Sequence, residues 1–69
     1  MSLNEAELQK EYVINSICTN DDEMQSFLFS LGCYSGEKIT VVDKKNNLVV
    51  SIKDARYNID KELAQAILV

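Results

Sequence analysis

The side chains able to do chemistry in this sequence are few. Two cysteines, Cys18 and Cys33, stand 15 residues apart, with no Cys-x-x-Cys pair. One acidic run, Asp21-Asp22-Glu23, is the densest cluster of oxygen ligands. There is no histidine, so a Ser-His-Asp triad, a Cys-His pair and an imidazole metal ligand are all excluded. Two cysteines cannot form a zinc ribbon or an iron–sulfur cluster within one chain. The cysteines lack an activating histidine, and the lysines lack an evident apolar pocket to lower their pKa. Carboxylates adjacent in sequence point in different directions on a first helical turn. The acidic run is therefore read as stabilising a helix dipole. No catalytic residue, cofactor or metal site is expected.

The elements that would position such groups must come from 69 residues, 46% of them apolar. That length makes one domain, residues 1–69, with a small core. The net charge of −4 is uneven. Residues 1–23 hold six acids against one base, and residues 24–69 hold five acids against six bases. Such a balance disfavours nucleic acid, whose affinity comes largely from neutralised phosphates. Lys44-Lys45, beside Asp43, reads as a solvated hairpin tip. No apolar run approaches a membrane helix, and the start lacks the basic and apolar regions of a signal peptide. A cytoplasmic location is expected, with both cysteines reduced and packed as small buried hydrophobes. In an oxidising setting a disulfide closing that loop would instead contribute ~3 kcal/mol.

Residues 3–10 have a short helical look, and residues 11–18 read as a strand. Asn20 reads as an N-cap, with Glu23 reaching back to complete a capping box. Met24, Phe27, Leu28 and Leu31 follow at helical spacing as one buried stripe. Gly32 stands where a left-handed residue would stop the helix. Ser35-Gly36 marks a turn, and residues 38–42 alternate as a strand. Residues 43–47 break the pattern, with asparagines suited to the positive φ of a hairpin turn. Residues 48–53 form a strand, Asp54-Ala55 turns, and residues 56–59 form another with Tyr57 and Ile59 on one face. Asp60 reads as a second N-cap, for one or two helical turns over residues 61–66. Residues 67–69 end as a strand. The fold class expected is mainly β with one principal helix. About five short strands, the helix lying between the first and second, would close into a small, partly open barrel.

The segment Leu28-Phe29-Ser30-Leu31-Gly32-Cys33-Tyr34-Ser35-Gly36-Glu37-Lys38-Ile39-Thr40-Val41 resembles the signature of the FeoA domain family. That signature has a leucine-rich helix ending in Leu-Gly-apolar, a Pro-Gly-like turn and an Ile/Val-x-Val strand. Leu3 to Ile17 resembles the family's opening segment. Arg56 to Asp60, followed by Glu62, Ala64 and Ile67, resembles its closing pattern. The chain departs from the family at three places. Ser35 stands where the family usually has proline, Gln25-Ser26-Phe27 where it often has arginines, and Asp54 where it commonly has glycine.

The resemblance implies an SH3-like barrel that is not an enzyme. It implies a cytoplasmic companion of the bacterial ferrous iron transporter FeoB, acting by protein–protein contact. Transition-metal ion binding attaches to the family as a whole, not to named residues here. A generic SH3-like interaction module, or a self-associating barrel forming a homo-oligomer without any link to iron, is the alternative. Either way the helix end and the turn after it are the expected contact face. Phe29 lies roughly 140° from Met24 around the helix, off the buried stripe, and would either pack on the N-terminal segment or anchor a partner. Tyr34, Ser35 and Glu37 complete the expected partner-binding set. Leu28, Leu31, Gly32 and Gly36 are expected to be structural.

Overall fold

Alternation of inward and outward side chains along four segments builds the main sheet. The computed structural model describes residues 1–69. In it, β1 (Glu11–Val13), β3 (Lys38–Asp43), β4 (Leu48–Ile52) and β5 (Ala55–Ile59) form an antiparallel sheet in the order β1-β3-β4-β5. Ile39, Val41, Leu48, Val50, Ile52 and Ile59 point inward and are buried, with Tyr12 and Tyr57 packed against them. Period-two alternation is what a sheet with one buried face requires. The register shifts between Val41 and Asp43, so Val42 is an extra residue in β3. Such a bulge bends the strand and raises its twist.

A second, two-stranded sheet pairs β2 (Ser16–Ile17) with β6 (Ile67–Leu68). The single strand expected over residues 11–18 is thus two. Ile14 donates its N–H to the Glu37 carbonyl at 2.8 Å, and Asn15 donates to the Leu68 carbonyl at 2.7 Å. Adjacent residues therefore bond to different sheets. β-branched residues stand on both sides of the break, Val13 and Ile14 before it and Ile17 after it, so that pattern reads as one strand. The structure has six strands in two sheets, curled together into a barrel that does not close.

The principal helix, α1 (Asp22–Ser30), is capped by Asp21 and not by Asn20. The Asp21 carboxylate accepts from the N–H groups of Glu23 at 3.0 Å and Met24 at 3.2 Å. Asn20 lies one residue too early to reach those donors. Leu28 is fully buried, and Met24 and Leu31 are half-buried against the core. Phe27, expected in the stripe, is 45% exposed. At 3.6 residues per turn it sits roughly 100° from Leu28, too far round to join it. The second helix, α2 (Lys61–Ala66), starts where Asp60 accepts from Leu63 N–H at 2.8 Å. Its Ala64 and Ala66 are buried, and the helix lies beside a single 3-10 turn, Leu3–Glu5.

Four further expectations are corrected. The helical look of residues 3–10 reduces to that 3-10 turn. The asparagines of residues 43–47 do not adopt positive φ. Instead Lys53 (φ 50°) and Asp54 (φ 65°) form the two-residue turn between β4 and β5, one position earlier than expected. Such a turn matches the strand twist. Lys44 is not a solvated tip: its Nζ donates to the Ala6 carbonyl and, at 2.9 Å, to the Asn4 carbonyl. It thereby ties down carbonyls that the short 3-10 turn leaves free. Of the two cysteines, Cys33 is buried but Cys18 is exposed, and both are free thiols.

Candidate functional site

The expected contact face is built from the end of α1 outward. Gly32 adopts φ +95°, a conformation costly for any residue with a Cβ. This lets Gly32 N–H bond back to the Phe29 carbonyl at 3.0 Å and Cys33 N–H to the Leu28 carbonyl at 3.1 Å. The pair of bonds is the Schellman arrangement, and Leu28 and Cys33 bury together beneath it. A second turn follows at once. Glu37 N–H bonds to the Tyr34 carbonyl at 3.0 Å, with Gly36 at φ +91°. Positive φ at the third position makes this a type II turn, with Ser35 where proline would also fit. Gly36 N–H then donates to the Ile14 carbonyl at 2.8 Å, fastening the turn to the chain beyond β1.

The first of these turns, at Gly32, brings Tyr34 back over the end of the helix. Its ring stacks on Phe29 with centroids 5.4 Å apart and planes at 15°. Phe29 is 37% exposed and Tyr34 49% exposed. Phe29 thus packs on Tyr34 and remains open to solvent. Ser35 is exposed, and the Glu37 carboxylate lies 3.3 Å from Lys53 Nζ. Leu28 sits beneath at full burial and Leu31 at half burial, and Gly32 and Gly36 hold the two bends. All eight residues of the expected set therefore lie on or under two consecutive turns. The stack itself was not legible beforehand, since two rings five residues apart meet only because Gly32 reverses the chain. Lys53 was also missed, for it reaches Glu37 from the β4–β5 turn.

Burial raises the Cys33 thiol to about 11, so it stays protonated and inert at neutral pH. No three His, Cys, Asp or Glu side chains gather to hold a metal ion. An open cleft of about 430 Å³ lies elsewhere, between Cys18, Met24 and the outer face of α2.

Comparison with protein families matches the FeoA domain over residues 1–69. The chain belongs to the FeoA domain family. No curated protein matches it. Among solved structures it is similar to FeoA of Stenotrophomonas maltophilia complexed with zinc, at 25% identity and TM-score 0.90, covering 100% of this chain and 88% of that one. That protein is described as a procaryotic SH3 domain protein and put forward as a bacterial ferrous iron transport activating factor. An iron uptake regulatory protein (FeoA) matches at 23% identity and TM-score 0.86, over 96% of this chain and 88% of that one. IdeR of T. acidophilum matches at 21% identity and TM-score 0.89, over 97% of this chain but only 32% of its own. The same fold thus makes up about a third of the IdeR chain, 32% of its length. No helix of this FeoA-family chain is long and apolar enough to cross a membrane.

Proposed function

We propose that this chain is a non-catalytic, cytoplasmic accessory protein of bacterial ferrous iron transport. It acts by binding the cytosolic GTP-binding domain of a FeoB-type transporter. Membership of the FeoA family, and the likeness to a structure put forward as a ferrous iron transport activating factor, support the role in iron transport. The observation that carries the contact is the exposed Phe29–Tyr34 stack. Large aromatic surface held rigidly by two hydrogen-bonded turns loses little entropy on docking, and aromatic anchors dominate interface energies. Ser35 and Glu37 supply polar rim contacts beside it.

The test is binding of the purified chain to the FeoB cytosolic domain, followed by titration calorimetry. Phe29→Glu and Tyr34→Glu should each weaken binding at least about tenfold while thermal melts stay near wild type. Binding unaffected by both substitutions removes this face from the reading.

A further inference from the structure

The main sheet ends on one side in β5, and no part of the chain completes that edge. Because Ile52 and Ala55 close a two-residue turn, Ala55, Tyr57 and Ile59 direct their backbone groups toward β4. Arg56 and Asn58 direct theirs outward. Their N–H and carbonyl groups make no hydrogen bond within the chain, and both residues are exposed. Asp60 continues the extended backbone at φ −79°, ψ 171°, and its N–H is likewise unbonded. A row of outward groups of this kind is a template for another strand. The opposite edge is less suited. β1 has three residues, and beyond it the chain turns away so that Asn15 can bond to Leu68.

The side chains along β5 indicate which strand would fit. Arg56 is the only arginine in a chain of net charge −4, and it makes no ion pair. Asp60 uses one carboxylate oxygen to cap α2 and leaves the other free. Consider two copies of β5 running antiparallel about a two-fold axis at Asn58. Each Arg56 then faces the Asp60 of the other copy, on the exposed face of the joined sheet. Opposite charges directly across strands are favourable. The two Asn58 residues exchange a pair of backbone bonds. Each Asp60 N–H meets the partner copy's Arg56 carbonyl, since the Asp60 carbonyl is already taken by Ala64 N–H at 3.0 Å. That makes four backbone hydrogen bonds and two charge pairs from one self-complementary segment.

We propose that this chain self-associates through β5, forming a continuous eight-stranded sheet across two copies. The edge is short, so the dimer is weak and concentration-dependent. It uses a face remote in sequence from the Phe29–Tyr34 stack, and it stands whether or not that stack binds FeoB.

The experiment is sedimentation analysis of the full chain from micromolar to millimolar concentration, with amide hydrogen exchange read by NMR at both ends. The expected result is a dimer at high concentration, with the Arg56, Asn58 and Asp60 amides becoming protected as it forms. Asn58→Pro removes an outward donor without touching the β4 ladder, a place where edge strands tolerate proline, and should abolish the dimer. Arg56→Glu keeps every backbone group, sets like charges opposite Asp60, and should raise the dissociation constant at least about tenfold. A chain that stays monomeric at millimolar concentration overturns the proposal. So does an unchanged dissociation constant in folded Arg56→Glu, or a dimer that protects amides elsewhere and leaves these three exchanging freely.

Discussion

The Tyr34 ring lies on the Phe29 ring, centroids 5.4 Å apart, because the chain reverses at Gly32 between them. Offset aromatic pairs contribute about 0.5–1.5 kcal/mol beyond their area. A double-mutant cycle on Phe29→Ala and Tyr34→Ala, measured by urea denaturation, should return a coupling in that range. A coupling indistinguishable from zero would mean that the rings are independent in solution.

The cap of α1 separates two neighbouring residues. Asp21→Ala leaves Glu23 and Met24 N–H without their acceptor and should cost about 1 kcal/mol. Asn20→Ala should change stability by less than about 0.5 kcal/mol, as surface substitutions usually do. Chemical denaturation of both variants decides which residue caps the helix.

Gly32 and Gly36 test conformational cost without crowding. A Cβ at Gly32 would meet Ile52 Cγ2 at 3.6 Å, an ordinary contact, and one at Gly36 would meet nothing within 4 Å. Each glycine→alanine change should therefore destabilise by about 1–2 kcal/mol, the cost of left-handed backbone. Asparagine, which tolerates this region better, should cost less at either position. Melting curves of the four variants provide the comparison.

Cys33 makes stability depend on alkaline pH. Its thiol is raised from 9.0 to about 11 by burial. Between those values the unfolded chain has lost the thiol proton and the folded chain keeps it. The unfolded state then binds fewer protons, so stability falls as pH rises through this window. The loss should approach about 2 kcal/mol by pH 11 and be absent below pH 8. Wild type should lose stability more steeply than Cys33→Ala over pH 9–11. Equal slopes would show that the thiol ionises as readily in the fold as out of it. At pH 8 a disulfide reagent should modify exposed Cys18 quickly and Cys33 only on unfolding.

Much of this protein was determined by the sequence alone. The spacing of Leu28 and Gly32 placed the end of α1, because one short helix needs one buried line and one residue free to turn left-handed. Asp60 marked α2, and the alternation of Ile39, Val41, Leu48, Val50 and Ile52 marked the sheet, because each depends on neighbours within a few residues. The segment around Leu31-Gly32 carried the family, and with it the SH3-like fold. Tertiary structure decided the rest. Ile14 and Asn15 part company because their bonding partners, Glu37 and Leu68, are distant in sequence from them and belong to different parts of the fold. Lys44 is drawn in because carbonyls some forty residues earlier need a donor. Phe27 stays out and Phe29 stacks on Tyr34 because burial depends on what lies opposite, which helical periodicity does not specify. The open backbone of Arg56 and Asn58 follows from the same cause: a strand becomes an edge only when every other segment has chosen its place.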